Sequence, residues 1–217
     1  SAFKNRQGIR KFIKKRNLQN IYDGLNIITV SKGIENDLIH TIGIKPKSIQ
    51  TIYNPVDKEE ITRLSLETNP ISERDYIVHV GRFHSVKRHD ILLKAFKLAN
   101  LPTKLVLVGD GAERQNILNL IDELELKEKV ILTGFIQNPY PIIKNAKLLV
   151  LSSEYEGLPT VLIESLMLNT PVLSTDCPSG PNEILENELE KYLVKVNDIK
   201  DLAKKIISTY NNPYSIH

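Results

Sequence analysis

From residue 75 onward, short apolar runs alternate with stretches of helical periodicity. YIVHVG (76–81), KLVLVG (104–109), KVILTG (129–134) and KLLVLSS (147–153) are apolar throughout, as strands covered on both faces are. Between the first two, HDILLKAFKLAN (89–100) repeats Ile91, Leu92, Ala95, Phe96 and Ala99 at 3.6-residue spacing. Further helices are expected over about 112–125, 139–145 and 198–210, and one opens at GLPTVLIESL. TPVLST (170–175) adds a fifth strand, followed by a turn-rich CPSGPNE and a short KYLVKV segment. This alternation predicts an α/β fold: a Rossmann-like parallel sheet with helices on both faces. Three strands end in glycine (Gly81, Gly109, Gly134), and such sheets bind ligands beyond the carboxyl ends of their strands.

The first 75 residues follow a different pattern. LNIITVS (25–31) is a β-branched run ending at a serine, followed by a helix over 32–41 that closes near Gly43. IQTIYNPVD (49–57) predicts a short strand stopping at Asn54-Pro55. Residues 57–67 are helical in pattern, and ETNPISERD is polar and contains proline, so it reads as a connection rather than core. Ahead of all this, Ile9, Phe12, Ile13 and more loosely Phe3 recur at helical spacing among seven Lys or Arg in the first sixteen positions. That leader predicts an amphipathic helix whose basic face is in water, or one lying on an anionic membrane surface.

Composition narrows the function classes. With 217 residues, 41% hydrophobic and 25% charged, the chain is ordinary globular material. A net charge of +3 is too weak to argue for nucleic acid as a partner. One cysteine, Cys177, excludes an internal disulfide framework and a CxxC metal site, which fits a reducing compartment. No apolar run reaches the ~18 residues needed to span a bilayer. The expected location is cytoplasmic, including the inner face of the cytoplasmic membrane.

Three stretches carry candidate chemistry. VGRFHSVKRHD leaves its strand at Gly81 and puts Arg82 and Lys87 in the following loop, suited to a diphosphate unless they are surface charges only. VGDGAERQ offers Gly-x-Gly after a strand, but Arg114 stands where the dinucleotide fingerprint needs a third glycine. In SSEYEGLPTVLIESL, Gly157 allows a sharp entry and Pro159 suits the first helical turn. The amides of Leu158, Thr160 and Val161 would then point at an anion. Glu164 shares a helix face with Thr160, and a carboxylate within so apolar a helix calls for hydroxyl or amide donors, such as a ribose diol. Glu156 precedes the helix, where it is either a charge stabiliser or a ligand group. His79 reads as a core residue, and His84 and His89 lack the spacing of a helical metal pair.

The ordered set VGR…K, LVLVGDG, VILTGF, SSEYEGLPTVLIESL and NTPVLST resembles the C-terminal, donor-binding half of the retaining GT-B glycosyltransferases of family 4 (group 1). The resemblance covers about residues 25–210. It implies a remnant of the N-terminal acceptor domain over 1–56, an interdomain connection over 57–74 and a nucleotide-sugar donor domain over 75–217. It also implies that some 150 or more preceding residues, with the acceptor site, are missing, so that the fragment alone is inactive or weakly active. By motif, Arg82, Lys87 and Glu156 are the implied catalytic residues. Gly81, Arg82, Lys87, Phe135, Ile136, Gly157, Leu158, Pro159, Thr160 and Glu164 are the implied donor-binding residues, with Glu164 on the ribose and Glu156 beside the sugar. The implied reaction moves a sugar from a UDP-sugar or other nucleotide sugar to a glycan or lipid-linked acceptor, without metal or other cofactor. Thr170 departs from the family's glycine before Pro-Val.

Two other readings use the same residues. One is a non-catalytic Rossmann-like interaction module whose basic leader docks a membrane or partner. The other treats Glu156 and Glu164 as a glycosidase pair, which leaves the Arg82/Lys87 loop without a role.

Overall fold

The computed structural model describes residues 9–215, with side chains from residue 12 onward. Six parallel strands form the main sheet: β3 (Ile77–Val80), β4 (Leu105–Val108), β5 (Val130–Gly134), β6 (Leu148–Leu151), β7 (Val172–Thr175) and β8 (Leu193–Val194). They stand in the order β5-β4-β3-β6-β7-β8, so consecutive connections run outward from β3 to one edge and from β6 to the other. Registers are in phase across the centre, with Ile77 opposite both Leu105 and Leu148.

Alternate residues of each strand feed two cores, which is why the strands had to be apolar throughout. Ile77, Leu105, Leu107, Leu148 and Val150 pack under α4 (His89–Ala99), α5 (Arg114–Glu123) and α9 (Ile199–Asn211). Val78, Val106, Val108, Leu149 and Leu151 pack under α3 (Lys58–Leu64), α6 (Tyr140–Lys144) and α7 (Thr160–Met167). On the first face α9 lies along α4, burying Leu202, Ala203, Ile206 and Tyr210. After α9 the chain returns to the sheet, where the Tyr214 hydroxyl donates to the Val172 carbonyl and accepts its amide.

The leader forms its own small layer. Helix α1 (Ile9–Tyr22) precedes a two-stranded parallel sheet of β1 (Asn26–Thr29) and β2 (Ser48–Thr51), joined through α2 (Lys32–Asn36) and a π-helical turn (Asp37–Ile42). The expected apolar stripe on α1 is not its packing side: Phe12 and Ile13 are exposed, and Phe3 and the Ile9 side chain lie outside the described residues. Contact is made instead by Leu18, against Ile42 and Ile44, and by Gln19, whose amide donates to the Ile42 and Gly43 carbonyls. The helix expected within 57–67 is α3, and in the stretch 57–74, assigned to an interdomain connection, it contributes Ile61 to the second core. The turn-rich CPSGPNE contains a further short helix, α8 (Pro181–Ile184).

Candidate active site

The two central strands β3 and β6 send their chains to opposite sides of the sheet. The crevice beyond their carboxyl ends is the position where such folds hold ligands. The loop leaving β3 carries Gly81, Arg82 and Lys87, and the loop leaving β6 carries Ser153, Glu156 and the start of α7.

Backbone packing shapes the first loop. Gly109 (φ +144) and Gly111 (φ +155) lie directly under it: a Cβ would stand 2.0 Å from the Gly81 carbonyl oxygen at the first and 2.4 Å from that of Phe83 at the second. The Gly-x-Gly motif therefore lets two backbones approach rather than cradling a dinucleotide. The two loops are also stitched together. The Glu154 amide donates to the Val86 carbonyl (2.8 Å), and Ser152 Oγ donates to the Lys87 carbonyl (2.8 Å).

Lys87 and Glu156 consequently meet. Lys87 Nζ donates to Glu156 Oε1 at 2.6 Å, and Ser153 Oγ donates to the same oxygen at 2.5 Å. The two side chains are only 19% and 11% exposed, so water screens the pair weakly. Among the described residues no donor reaches Glu156 Oε2. Arg82 is exposed on the same loop and meets no carboxylate among the described residues. Glu154 stands apart from this pair, 3.9 Å from Arg88.

Helix α7 begins one residue later than expected, with Pro159 as the residue before its first turn. The amides of Leu158, Thr160 and Val161 find no protein acceptor among the described residues, leaving the helix start able to hold an anion. One turn further, Glu164 is half-buried. Burial raises its carboxyl above the usual range, and a hydrogen bond from Thr160 only partly offsets this. Tyr140, at the start of α6, comes beside it: burial and then the Glu164 charge raise its phenol. Phe135 and Ile136 follow Gly134 at the end of β5, with Phe135 fully displayed to solvent and Ile136 packed on the second core. A cleft of about 570 Å³ behind the 84–90 loop, floored by Ile117 and Leu120, contains none of Lys87, Glu156 or Glu164.

The structure thus brings Lys87, Glu156 and the α7 start together and puts Glu164 on the same helix. It keeps Phe135 and Ile136 at the same end of the sheet, two strands from β3. The sequence reading did not single out Ser153, Ser179 or Tyr140. The two serine hydroxyls bond Glu156, with Ser179 Oγ donating to its carbonyl at 2.6 Å, and are visible only once the chain is folded. Thr170 is buried and donates to the Ile143 carbonyl, which accounts for a hydroxyl residue at that turn. His79 is a core residue as expected, its Nδ1 2.9 Å from the Val150 carbonyl oxygen. Burial holds His79 well below its usual value and takes His89 down to about 4, so both imidazoles are neutral near pH 7. Among the described residues no group of three or more His, Cys, Asp or Glu is placed to hold a metal ion.

A parallel sheet with helices on both faces and polar groups beyond its central strands is the architecture of a GT-B half. Residues 62–216 match the family model of the glycosyl transferases group 1, and the chain belongs to that family. Among curated relatives it is 36% identical over 172 residues to the N-acetylgalactosamine-N,N'-diacetylbacillosaminyl-diphospho-undecaprenol 4-alpha-N-acetylgalactosaminyltransferase of Campylobacter jejuni, covering 79% of this chain and 47% of that protein. It is 29% identical over 178 residues to the lipopolysaccharide 1,6-galactosyltransferase of Escherichia coli, covering 79% and 48%. The chain therefore spans about half the length of these relatives. Among solved structures it resembles an S. aureus TarM variant in complex with Fondaparinux, alpha-GlcNAc-glycerol and UDP (TM-score 0.74, 25% identity, 94% of this chain and 39% of that one). It shares the fold of Anabaena HepE in complex with UDP and glucose (TM-score 0.78, 20% identity, 95% and 59%).

Proposed function

We propose that this chain is the donor-binding half of a retaining, metal-independent glycosyltransferase of family 4 that uses a UDP-sugar. The observation that carries this reading is the joint placement of Lys87, Glu156 and the amide-rich start of α7 at the switch crevice, with Glu164 one turn behind. In such a transfer the bond between the anomeric carbon and the diphosphate oxygen breaks, and negative charge grows on the nucleoside diphosphate. Lys87 and the amides of Leu158, Thr160 and Val161 oppose that charge from fixed positions, which is the most effective form of electrostatic stabilisation, and the exposed Arg82 adds a second cation from the same loop. Glu164 accepts from the ribose hydroxyls, Phe135 and Ile136 flank the base, and Glu156 offers its free Oε2 to the transferred sugar. The acceptor in this reading is a glycan or lipid-linked saccharide met at the inner membrane face, a class consistent with the diphospho-undecaprenol in the C. jejuni relative's name.

Thermal-shift titration tests the donor claim. UDP at millimolar concentration should raise Tm, and Glu164→Ala or Arg82→Ala should remove the rise. No shift with UDP, GDP or ADP overturns the reading for this chain. Exposed Phe12, Ile13 and Ile21 on a basic helix favour a second property, docking of the leader on an anionic surface. Sedimentation with phosphatidylserine vesicles, with and without residues 1–22, measures it.

A further inference from the structure

Among the described residues, the hydrogen bonds from the leader to the donor half converge on one carboxylate, Glu183. Glu183, on α8, accepts the Lys32 amide at 2.7 Å through Oε2 and the Gly33 amide at 2.8 Å through Oε1. The Tyr53 hydroxyl, from the end of the leader, donates to Oε2 at 3.0 Å. One carboxylate thus bonds two separate parts of the leader, 150 and 130 residues away in sequence. The leader segment itself is braced, because Thr51 Oγ1 donates to Glu35 and is paired with Thr29 Oγ1 at 2.8 Å.

The contact is close as well as charged. A Cβ on Gly33 would stand 2.5 Å from Ser179 Cβ and 2.7 Å from Ser179 Cα, so the leader turn rests on the Ser179 backbone. Ser179 Oγ in turn holds the Glu156 carbonyl. A Cβ on Gly157 would meet Ile34 Cδ1 at 3.4 Å and Val30 Cγ2 at 3.6 Å. The segment Val30–Ile34 therefore packs both on Gly157 and on Ser179, the residue that holds the Glu156 carbonyl.

We propose that Glu183 is a positioning residue: by seating the leader turn on Ser179 it fixes the Glu156–Gly157 loop, and the geometry offered to the donor sugar depends on that seating. The role at the sugar rests on the donor-site reading above, whereas the seating itself does not. Arg82 and Glu164 lie outside the contact, while the start of α7 at Leu158 and Pro159 packs on Gly180 beside it, so the effect is largest at the sugar end and smaller at the diphosphate.

The chain carries its own probe. Its one cysteine, Cys177, is fully buried two residues before Ser179, and Sγ lies 3.7 Å from the Ser179 carbonyl oxygen. The test measures Cys177 labelling by dithionitrobenzoate, together with UDP and UDP-glucose affinities, in the whole chain and in Glu183→Gln and Tyr53→Phe. Loss of a charge-assisted hydrogen bond should speed labelling about tenfold in Glu183→Gln, and about threefold in the milder Tyr53→Phe. UDP-glucose affinity should fall more than UDP affinity, so that the preference for UDP-glucose over UDP shrinks. An unchanged labelling rate overturns the proposal. So does a rise no larger than the fall in global stability measured by urea unfolding, because general loosening would then explain it. Equal losses of UDP and UDP-glucose affinity sever the link to Glu156. If the unmutated chain binds neither nucleotide, the donor-site reading fails, and the seating is still decided by the labelling rates.

Discussion

Glu156 and Glu164 are eight positions apart on one short stretch, yet they occupy opposite kinds of surroundings. Glu156 is crowded by donors: an ammonium and a hydroxyl share one of its oxygens, and a second serine holds its carbonyl. Glu164 is half-buried with Thr160 as its one hydroxyl partner, and burial raises its carboxyl above the usual range. The first carboxylate is held in place before any ligand arrives. The second is left short of donors, and a pair of hydroxyls would supply them. A charge held in place and a charge short of partners respond differently to substitution, ligand and pH.

The largest contrast should come from Lys87→Ala. It leaves Glu156 weakly solvated and without its cation, which costs about 2 kcal/mol, less than for a fully buried pair, or roughly 5 °C in Tm for a chain of this size. Urea unfolding measures it, and Glu156→Gln in the same chain should restore part of the loss. An unchanged midpoint would mean that Glu156 is not held by Lys87. Next in size, Glu164→Ala should weaken UDP binding at least tenfold by isothermal titration, with Tm of the free protein unchanged or higher. A fall in Tm of the free protein would show that Glu164 is held as firmly as Glu156, and the contrast would collapse.

A smaller effect follows from pH. The raised carboxyl of Glu164 means that the folded chain holds this proton more tightly than the unfolded one. Its contribution to stability is full below about 4.5 and is lost as pH rises through the higher folded value. Glu164→Gln should therefore stabilise the free protein near pH 7 and not near pH 4. UDP affinity should fall as pH is lowered through the same window, since the ribose hydroxyls donate to the ionised form. A flat comparison between pH 4 and 7 would place Glu164 in water. The smallest effect belongs to Thr160→Val: removing the hydroxyl that bonds Glu164 should raise its carboxyl further, read by NMR titration.

Much of the architecture was legible because the strands are apolar throughout and the helices between them keep their period. Both follow from burial on two faces and need no knowledge of partners. Lys87 and Glu156 were each legible as candidates, from a glycine-ended strand and a helix entry. Their contact was not, because 69 residues separate them and the loops are joined by the Glu154 amide and Ser152 hydroxyl. Leader packing was misread for a related reason. Periodicity marks apolar positions, but contact went to Leu18 and to the polar Gln19, which meets the carbonyls at the end of a π-turn. The Gly-x-Gly motif was legible as glycines whose purpose was not, since close approach to the Gly81–Phe83 backbone has no trace in the string itself.

Helix α9 lies along α4 although about a hundred residues separate them, and this has a consequence for synthesis. Chains emerge from the N-terminus, and domains fold as their parts become available. The apolar side of α4, with Leu92 and Phe96, can reach β3 and β4 early, but its outer cover of Leu202, Ile206 and Tyr210 is made only after all six strands of the main sheet. Until that cover arrives, the side of α4 that α9 packs on and the neighbouring Leu173 of β7 stay exposed. A chain truncated after residue 195 should be protease-sensitive around α4, and one that includes Tyr214 should not.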